Sequence, residues 1–229
     1  RVDLPTLHSP ADVLRLAREE NCLHEVERIT FFLRQVHITL ENAGKVVPSA
    51  LLFVNSIASQ YLTPDELSEY SARYASILPR IVIEITEEEC LDPKALRIKQ
   101  TIRGSSGAFA LDDYGSGYSN ERSLLELSPN YIKIDLSIIR SIDTDANKRQ
   151  IVSNTVSSRT SAHEVVAEGL ETADEVRTVL SLGVDLLQGF FLDAAVEPGG
   201  ASEESLAVIA EMHSQSDESQ ISIFGGDKQ

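Results

Sequence analysis

The chain has 229 residues, with 20 Lys and Arg against 36 Asp and Glu and a formal net charge of −16. That balance excludes a protein whose work is gripping a nucleic-acid polymer, because the basic footprint is missing. A hydrophobic fraction of 42% excludes a mainly disordered chain, no apolar run approaches the ~20 residues of a membrane span, and the first residues lack a signal pattern.

Taken in order, the chain opens with Ser9-Pro10-Ala11-Asp12, a capping residue followed by proline and a carboxylate, which predicts a helix start. Helical spacing continues from Ala11 to Ala43, through Val13, Leu14, Leu16 and Ala17 and then Val26, Ile29, Phe32, Leu33 and Val36, so two helices precede the first strand. Thr63-Pro64-Asp65-Glu66 predicts another start, and Thr172 with Glu175 forms a capping-box pattern. Between the helices, apolar and β-branched runs predict buried strands at Leu51–Asn55, Ile81–Thr86, Ala108–Leu111, Tyr131–Asp135, Val165–Glu168 and Leu186–Phe191. They start roughly 20 to 35 residues apart, the span of a parallel strand followed by a crossover helix. A last helix is expected over Ser202–His213, followed by a polar tail from Ser214 to Gln229.

The expected fold class is therefore α/β. A closed (β/α) barrel needs eight strands. With six visible and a first residue, Arg1, that is not Met, the expectation is a modified barrel whose first strand or strands lie upstream. Cys22 and Cys90 are too few for a disulfide framework or a thiolate zinc site, which points to a reducing, cytoplasmic setting and leaves membrane anchoring of a longer parent open.

Nearly every predicted strand ends in a side chain that apolar burial would not choose. Asn55 closes the first, Glu84 and Glu87 the second, and Asp112-Asp113 the third; Lys133 and Asp135 lie in the fourth, Glu168 and Glu171 end the fifth, and Gln188 lies in the sixth. A single such carboxylate is an ordinary helix cap or turn former. In a parallel barrel, however, all those ends emerge on one face, where active sites are assembled. Converging carboxylates repel and resist ionisation unless cations sit among them, and hard oxygen ligands suit Mg²⁺, Mn²⁺ or Ca²⁺. Two such ions clamp the attacking and leaving oxygens of a phosphoryl displacement, which makes a phosphodiester a natural substrate. The loop after the aspartate pair, Tyr114 to Asn120, carries Gly115 and Gly117, whose freedom lets backbone N–H groups approach an anion. Lys133 alternates with Ile132 and Ile134 and faces either the barrel axis or the surface. No Walker motif, strand-linked G-x-G-x-x-G, H-E-x-x-H or G-x-S-x-G occurs, which disfavours nucleotide-triphosphate hydrolysis, dinucleotide redox, zinc-protease and serine-hydrolase chemistry.

At these residues the sequence resembles the EAL-domain family, bacterial phosphodiesterases that linearise cyclic di-GMP. DDYGSGYSN at Asp112–Asn120 resembles the family's DDFGxGYS loop, YIKID at Tyr131–Asp135 its LKID strand, and VVAEGLET at Val165–Thr172 its AEGVET segment. LQGFF at Leu187–Phe191 resembles QGY, EITE at Glu84–Glu87 the ExTE strand, and FVNS at Phe53–Ser56 the N-x-S strand. The resemblance implies a modified TIM-like barrel as an EAL-type phosphodiesterase domain over residues 1–213, with a flexible tail over 214–229. It implies Asn55, Glu84, Asp112, Asp113 and Glu168 as ligands of two Mg²⁺ or Mn²⁺ ions, with Ca²⁺ inhibitory. Lys133, Glu168 and Gln188 would be catalytic, the first two positioning or deprotonating the attacking water. Arg1, Asp135 and Gln188 would bind substrate. Glu87, Gly115, Gly117 and Glu171 would support the loop and the metal shell. Implied partners are cyclic di-GMP, a second copy in a homodimer, and an upstream sensory or GGDEF-type domain. The Glu-Ala-Leu signature is not in the chain; Arg1 resembles the arginine of E-A-L-x-R, which would place the glutamate four residues before it. Two alternatives stay open: a catalytically silent cyclic di-GMP receptor, and a barrel glycosidase using two carboxylates.

Overall fold

A computed structural model describes residues 9–30, 50–86, 92–103, 107–116, 121–158 and 163–192. The expected continuation of the second helix to Ala43, the helix Ser202–His213 and the tail lie outside the described residues, as do Arg1, Glu87, Cys90 and Gly117.

Helix α1 (Pro10–Glu19) starts where Ser9 Oγ accepts the Asp12 N–H, and α2 (Leu23–Glu27) follows after a short turn. Strand β1 (Leu52–Asn55) leads to α3 (Pro64–Tyr74), which opens on the reciprocal Thr63–Glu66 capping box. A 3₁₀ turn then feeds β2 (Ile81–Thr86), α4 (Pro93–Arg103) and β3 (Ala108–Tyr114). Next come α5 (Glu121–Leu127), β4 (Tyr131–Ile134), the single-turn α6 (Leu136–Ile139) and α7 (Ala146–Ser158). The described chain closes with β5 (Glu164–Ala167), α8 (Ala173–Ser181) and the short β6 (Leu186–Leu187).

The six strands form one parallel sheet in the order β1-β2-β3-β4-β5-β6. Each neighbour is reached through helical crossovers, the connectivity of a (β/α) barrel. One face of the sheet packs on helices. Val54, Ile83, Ile85, Phe109 and Leu111 meet Tyr70 and Tyr74 of α3 and Ile102 of α4, while Ile134, Val165 and Ala167 meet Val152 of α7 and Val176 and Val179 of α8. Side chains alternate along a strand, so the residues between these apolar positions point to the other face. No helix among the described residues is long and apolar enough to cross a membrane.

Five of the six strands differ from the sequence expectation at one or both ends: β1 starts one residue later, at Leu52, and β5 lies one residue earlier, at Glu164–Ala167. β3 runs on past Leu111 through both aspartates to Tyr114, because Asp113 takes φ +56° and the register to β4 shifts there, from Leu111 opposite Ile132 to Tyr114 opposite Ile134. β4 stops one residue earlier than expected because Asp135 leaves the strand to cap α6, its carboxylate accepting the Ser137 N–H at 2.9 Å. β6 is two residues long, since Gln188 to Leu192 turn back onto the Leu170 main chain: Phe191 N–H donates to Leu170 O, and Leu170 N–H donates to Gln188 O.

Candidate active site

Strand register decides which side chains meet. Asn55 lies opposite Glu84 in the β1–β2 ladder, and Glu84 lies opposite Ala110, which lies opposite Tyr131. Two residues further on, Asp112 and Lys133 therefore share the face of Asn55 and Glu84, the face turned from the helices. Glu168 follows the last residue of β5, with its N–H donating to Ile134 O.

Lys133 is the hub. It is 4% exposed, and its Nζ lies 2.5 Å from Glu84 Oε1, 2.9 Å from Asp112 Oδ1 and 2.8 Å from Glu168 Oε1. Of the two orientations open to it from the sequence, it takes the inward one. Asp112, Asp113 and Glu168 each offer a carboxylate oxygen within 4.8 Å of one another. The left-handed turn at Asp113 breaks the strand alternation, so two adjacent aspartates serve one cluster. Asp is among the residues that adopt this conformation at low cost.

One ammonium faces three carboxylates, with Asp113 beside them, and the protonation equilibria reflect it. Burial alone would lower the Lys133 pKa, but Glu84, Glu168 and Asp112 together hold it well above the usual lysine range, so it stays charged. Burial raises Glu84 despite Lys133, with Asp112 and Asp113 adding to the rise. Burial likewise pushes Glu168 up to about 8, against Lys133 and with the help of Asp112. A site that disfavours its own negative charge in this way suits further cations, and an all-oxygen donor set fits Mg²⁺ or Mn²⁺.

The remaining sequence candidates surround this cluster. Asn55 and Gln188 are exposed at the ends of β1 and β6. Gly115, at φ +90°, turns the chain after the aspartates, with Ser116 N–H closing on Asp113 O. Asp135 sits beyond Lys133 with one carboxylate oxygen engaged in its cap. Glu171 is on the rim, paired with Arg140 rather than with the cluster.

Sequence reasoning read Glu175 only as a cap. In the structure its carboxylate also accepts the N–H groups of Ser141 at 2.7 Å and Glu171 at 2.8 Å, which ties the turn after α6 to the segment that carries Glu168. Burial would raise its pKa, but these bonds and those to Thr172 outweigh it and hold the carboxyl below its ordinary value.

The EAL domain family matches residues 1–195. The chain belongs to this family. Among curated relatives, the cyclic di-GMP phosphodiesterase PdeL of Escherichia coli K12 is 34% identical over 123 residues, covering 52% of this chain and 34% of PdeL. The chain thus spans about a third of that relative's length. The solved manganese and cyclic di-GMP complex of Klebsiella pneumoniae BlrP1 is 28% identical with a TM-score of 0.65, covering 81% of this chain and 48% of that one. The calcium and cyclic di-GMP complex of the same protein gives a TM-score of 0.64 at 28% identity, over 81% of this chain and 48% of that one. The sequential parallel sheet of this EAL domain is accordingly that of a modified TIM-like barrel.

Proposed function

We propose that this EAL domain is a metal-dependent phosphodiesterase that opens one phosphodiester of cyclic di-GMP to give linear pGpG. The reading is carried by one observation, the Lys133 ammonium clasped by Glu84, Asp112 and Glu168 beside Asp113, in a chain of a family whose named relatives are cyclic di-GMP phosphodiesterases. Asn55, Glu84, Asp112, Asp113 and Glu168 would hold two Mg²⁺ or Mn²⁺ ions. When bound, such ions supply Lewis-acid polarisation of the phosphoryl oxygens and lower the pKa of water.

The chain's own groups have separable tasks. Lys133 keeps three carboxylates in register and offers positive charge where negative charge develops on the phosphoryl group. Glu168, its carboxylate held by Lys133 at 2.8 Å, would take up the proton of the attacking water at a carboxylate oxygen. Gln188 presents amide hydrogen-bonding groups at the exposed rim, and Asp135 and Arg1 would complete substrate binding. Glu87, Gly115, Gly117 and Glu171 would support the loop and the metal shell. Ca²⁺ fills oxygen sites with looser, higher coordination and would inhibit.

Residues 1–213 would form the domain and 214–229 a flexible tail. The domain would act in the cytoplasm as a homodimer behind a sensory or GGDEF-type module, in bacterial signalling.

The test is cyclic di-GMP hydrolysis followed chromatographically with Mn²⁺, alongside calorimetric binding. Formation of pGpG that stops on chelation supports the proposal. Tight binding with no product at saturating Mn²⁺ overturns it in favour of a receptor.

A further inference from the structure

A second buried ionic group lies beyond the end of β1, outside the strand-end cluster. Glu27 of α2 and Lys99 of α4 are each 2% exposed, and Ser56, the residue after Asn55, is buried with them. Glu27 Oε1 accepts from Lys99 Nζ at 3.0 Å and from Ser56 Oγ at 2.5 Å, while Glu27 Oε2 accepts the Ile57 N–H at 2.8 Å. Lys99 Nζ also donates to Ser56 Oγ at 2.5 Å. Two segments far apart in sequence thus converge on the two residues that follow Asn55.

Packing alone does not require this arrangement. A buried ion pair recovers little more than its desolvation cost, and apolar residues of similar volume serve stability as well or better. What the group supplies is direction. Among the described residues β1 pairs with β2 alone, and Glu27 and Lys99 bond the two residues just beyond its end. The Ser56 N–H donates to Glu84 O at 2.9 Å, which couples the anchored residue to the strand position that carries Glu84. Asn55 and Glu84 stand opposite each other in the same ladder.

We infer that Glu27 and Lys99 are positioning residues which, through Ser56 and Ile57, hold the Asn55 amide and the Glu84 carboxylate in the arrangement a divalent cation requires. The inference rests on the proposed metal-dependent function. Residues that orient metal ligands without touching the metal typically change affinity or activity 10- to 100-fold when replaced.

Two variants test it. Glu27→Leu with Lys99→Met removes both charges and the hydrogen bonds that Glu27 accepts from Ser56 and Ile57 while keeping apolar volume. Ser56→Ala removes the shared hydroxyl and leaves the ion pair in place, so it reports even where the double variant fails to fold. Calorimetry with Mn²⁺ alone is expected to show affinity weakened about tenfold or more in both. The melting temperature in EDTA should stay near wild type for Ser56→Ala, kcat should fall more than KM rises, and Ser56→Thr should restore Mn²⁺ binding. Unchanged Mn²⁺ affinity in folded Ser56→Ala overturns the inference. If wild-type protein binds no Mn²⁺ at all, the functional reading falls by itself and amide hydrogen exchange at Ser56 decides the inference. Faster exchange in the variants upholds the anchoring of β1, and equal exchange overturns it.

Discussion

Lys133 on β4 reaches across β3 to Glu84 on β2, placing its Nζ 2.5 Å from Glu84 Oε1. The same ammonium meets Asp112 on the intervening strand and Glu168 past β5, so one cation joins four successive rungs of the barrel. Removing it leaves buried carboxylates facing one another. Lys133→Met should abolish turnover and, in EDTA, destabilise the fold by about 3 kcal/mol, the usual cost of breaking a buried ionic group. Urea denaturation with and without Mn²⁺ measures this, and added Mn²⁺ should recover part of the loss.

Asp113 combines a carboxylate with a left-handed backbone at φ +56°. Asp113→Asn keeps the conformation, which Asn also adopts, and removes the charge. It should lower Mn²⁺ affinity at least tenfold with little change in melting temperature. Asp113→Val should in addition cost about 1–2 kcal/mol, because a β-branched residue is strained there. Calorimetry and thermal melts of the two variants separate ligation from backbone geometry.

Gly169 has φ +71°, and a Cβ at this position would lie 2.5 Å from the Leu136 Cβ. Ala at this position should cost about 2 kcal/mol or more through strain and overlap together. It should also depress turnover, because Glu168 is the preceding residue. At Gly189 a Cβ would overlap the Leu170 main chain, so Gly189→Ala should displace Gln188 and raise KM. Steady-state kinetics beside thermal melts check both.

The Glu175 carboxyl is held below its ordinary value by the N–H groups of Glu171, Ser141 and Thr172, which outweigh burial. A depressed folded-state pKa means that its stabilisation is complete above the unfolded-state value, near 4.3, and is lost as pH falls through the folded-state value. Glu175→Ala should therefore cost about 2 kcal/mol at pH 7. The gap between wild type and variant should close as pH is lowered below about 4. Urea midpoints measured across pH 3–7 read this out.

The strands and their order were legible because each apolar run was bounded by a cap or a strand-end polar residue, as at Ile81–Thr86, where the expected and observed ranges coincide. The strand-end carboxylates were legible for the same reason, since Glu84 and Asp112 interrupt apolar alternation. The left-handed turn at Asp113 was not, because Asp is equally at home in an extended strand or a turn, and only the β3–β4 register decides. The Glu27–Ser56–Lys99 group was overlooked although one trace existed. Lys99 occupies the same α4 stripe as the buried Ala95 and Ile102, where a solvated lysine would not sit. Its partners are 72 and 43 positions away, beyond the reach of any local pattern.

Oxygen ligands from successive strand ends would share divalent cations at the Lys133 cluster. Calorimetric titration of metal-free protein with Mn²⁺ tests it most directly, run beside the Asp112→Asn, Asp113→Asn double variant. Two Mn²⁺ ions per wild-type chain are expected, with proton release because burial pushes Glu168 up to about 8, and no tight site in the variant. Absence of Mn²⁺ binding in wild type, or equal binding in the variant, would contradict it.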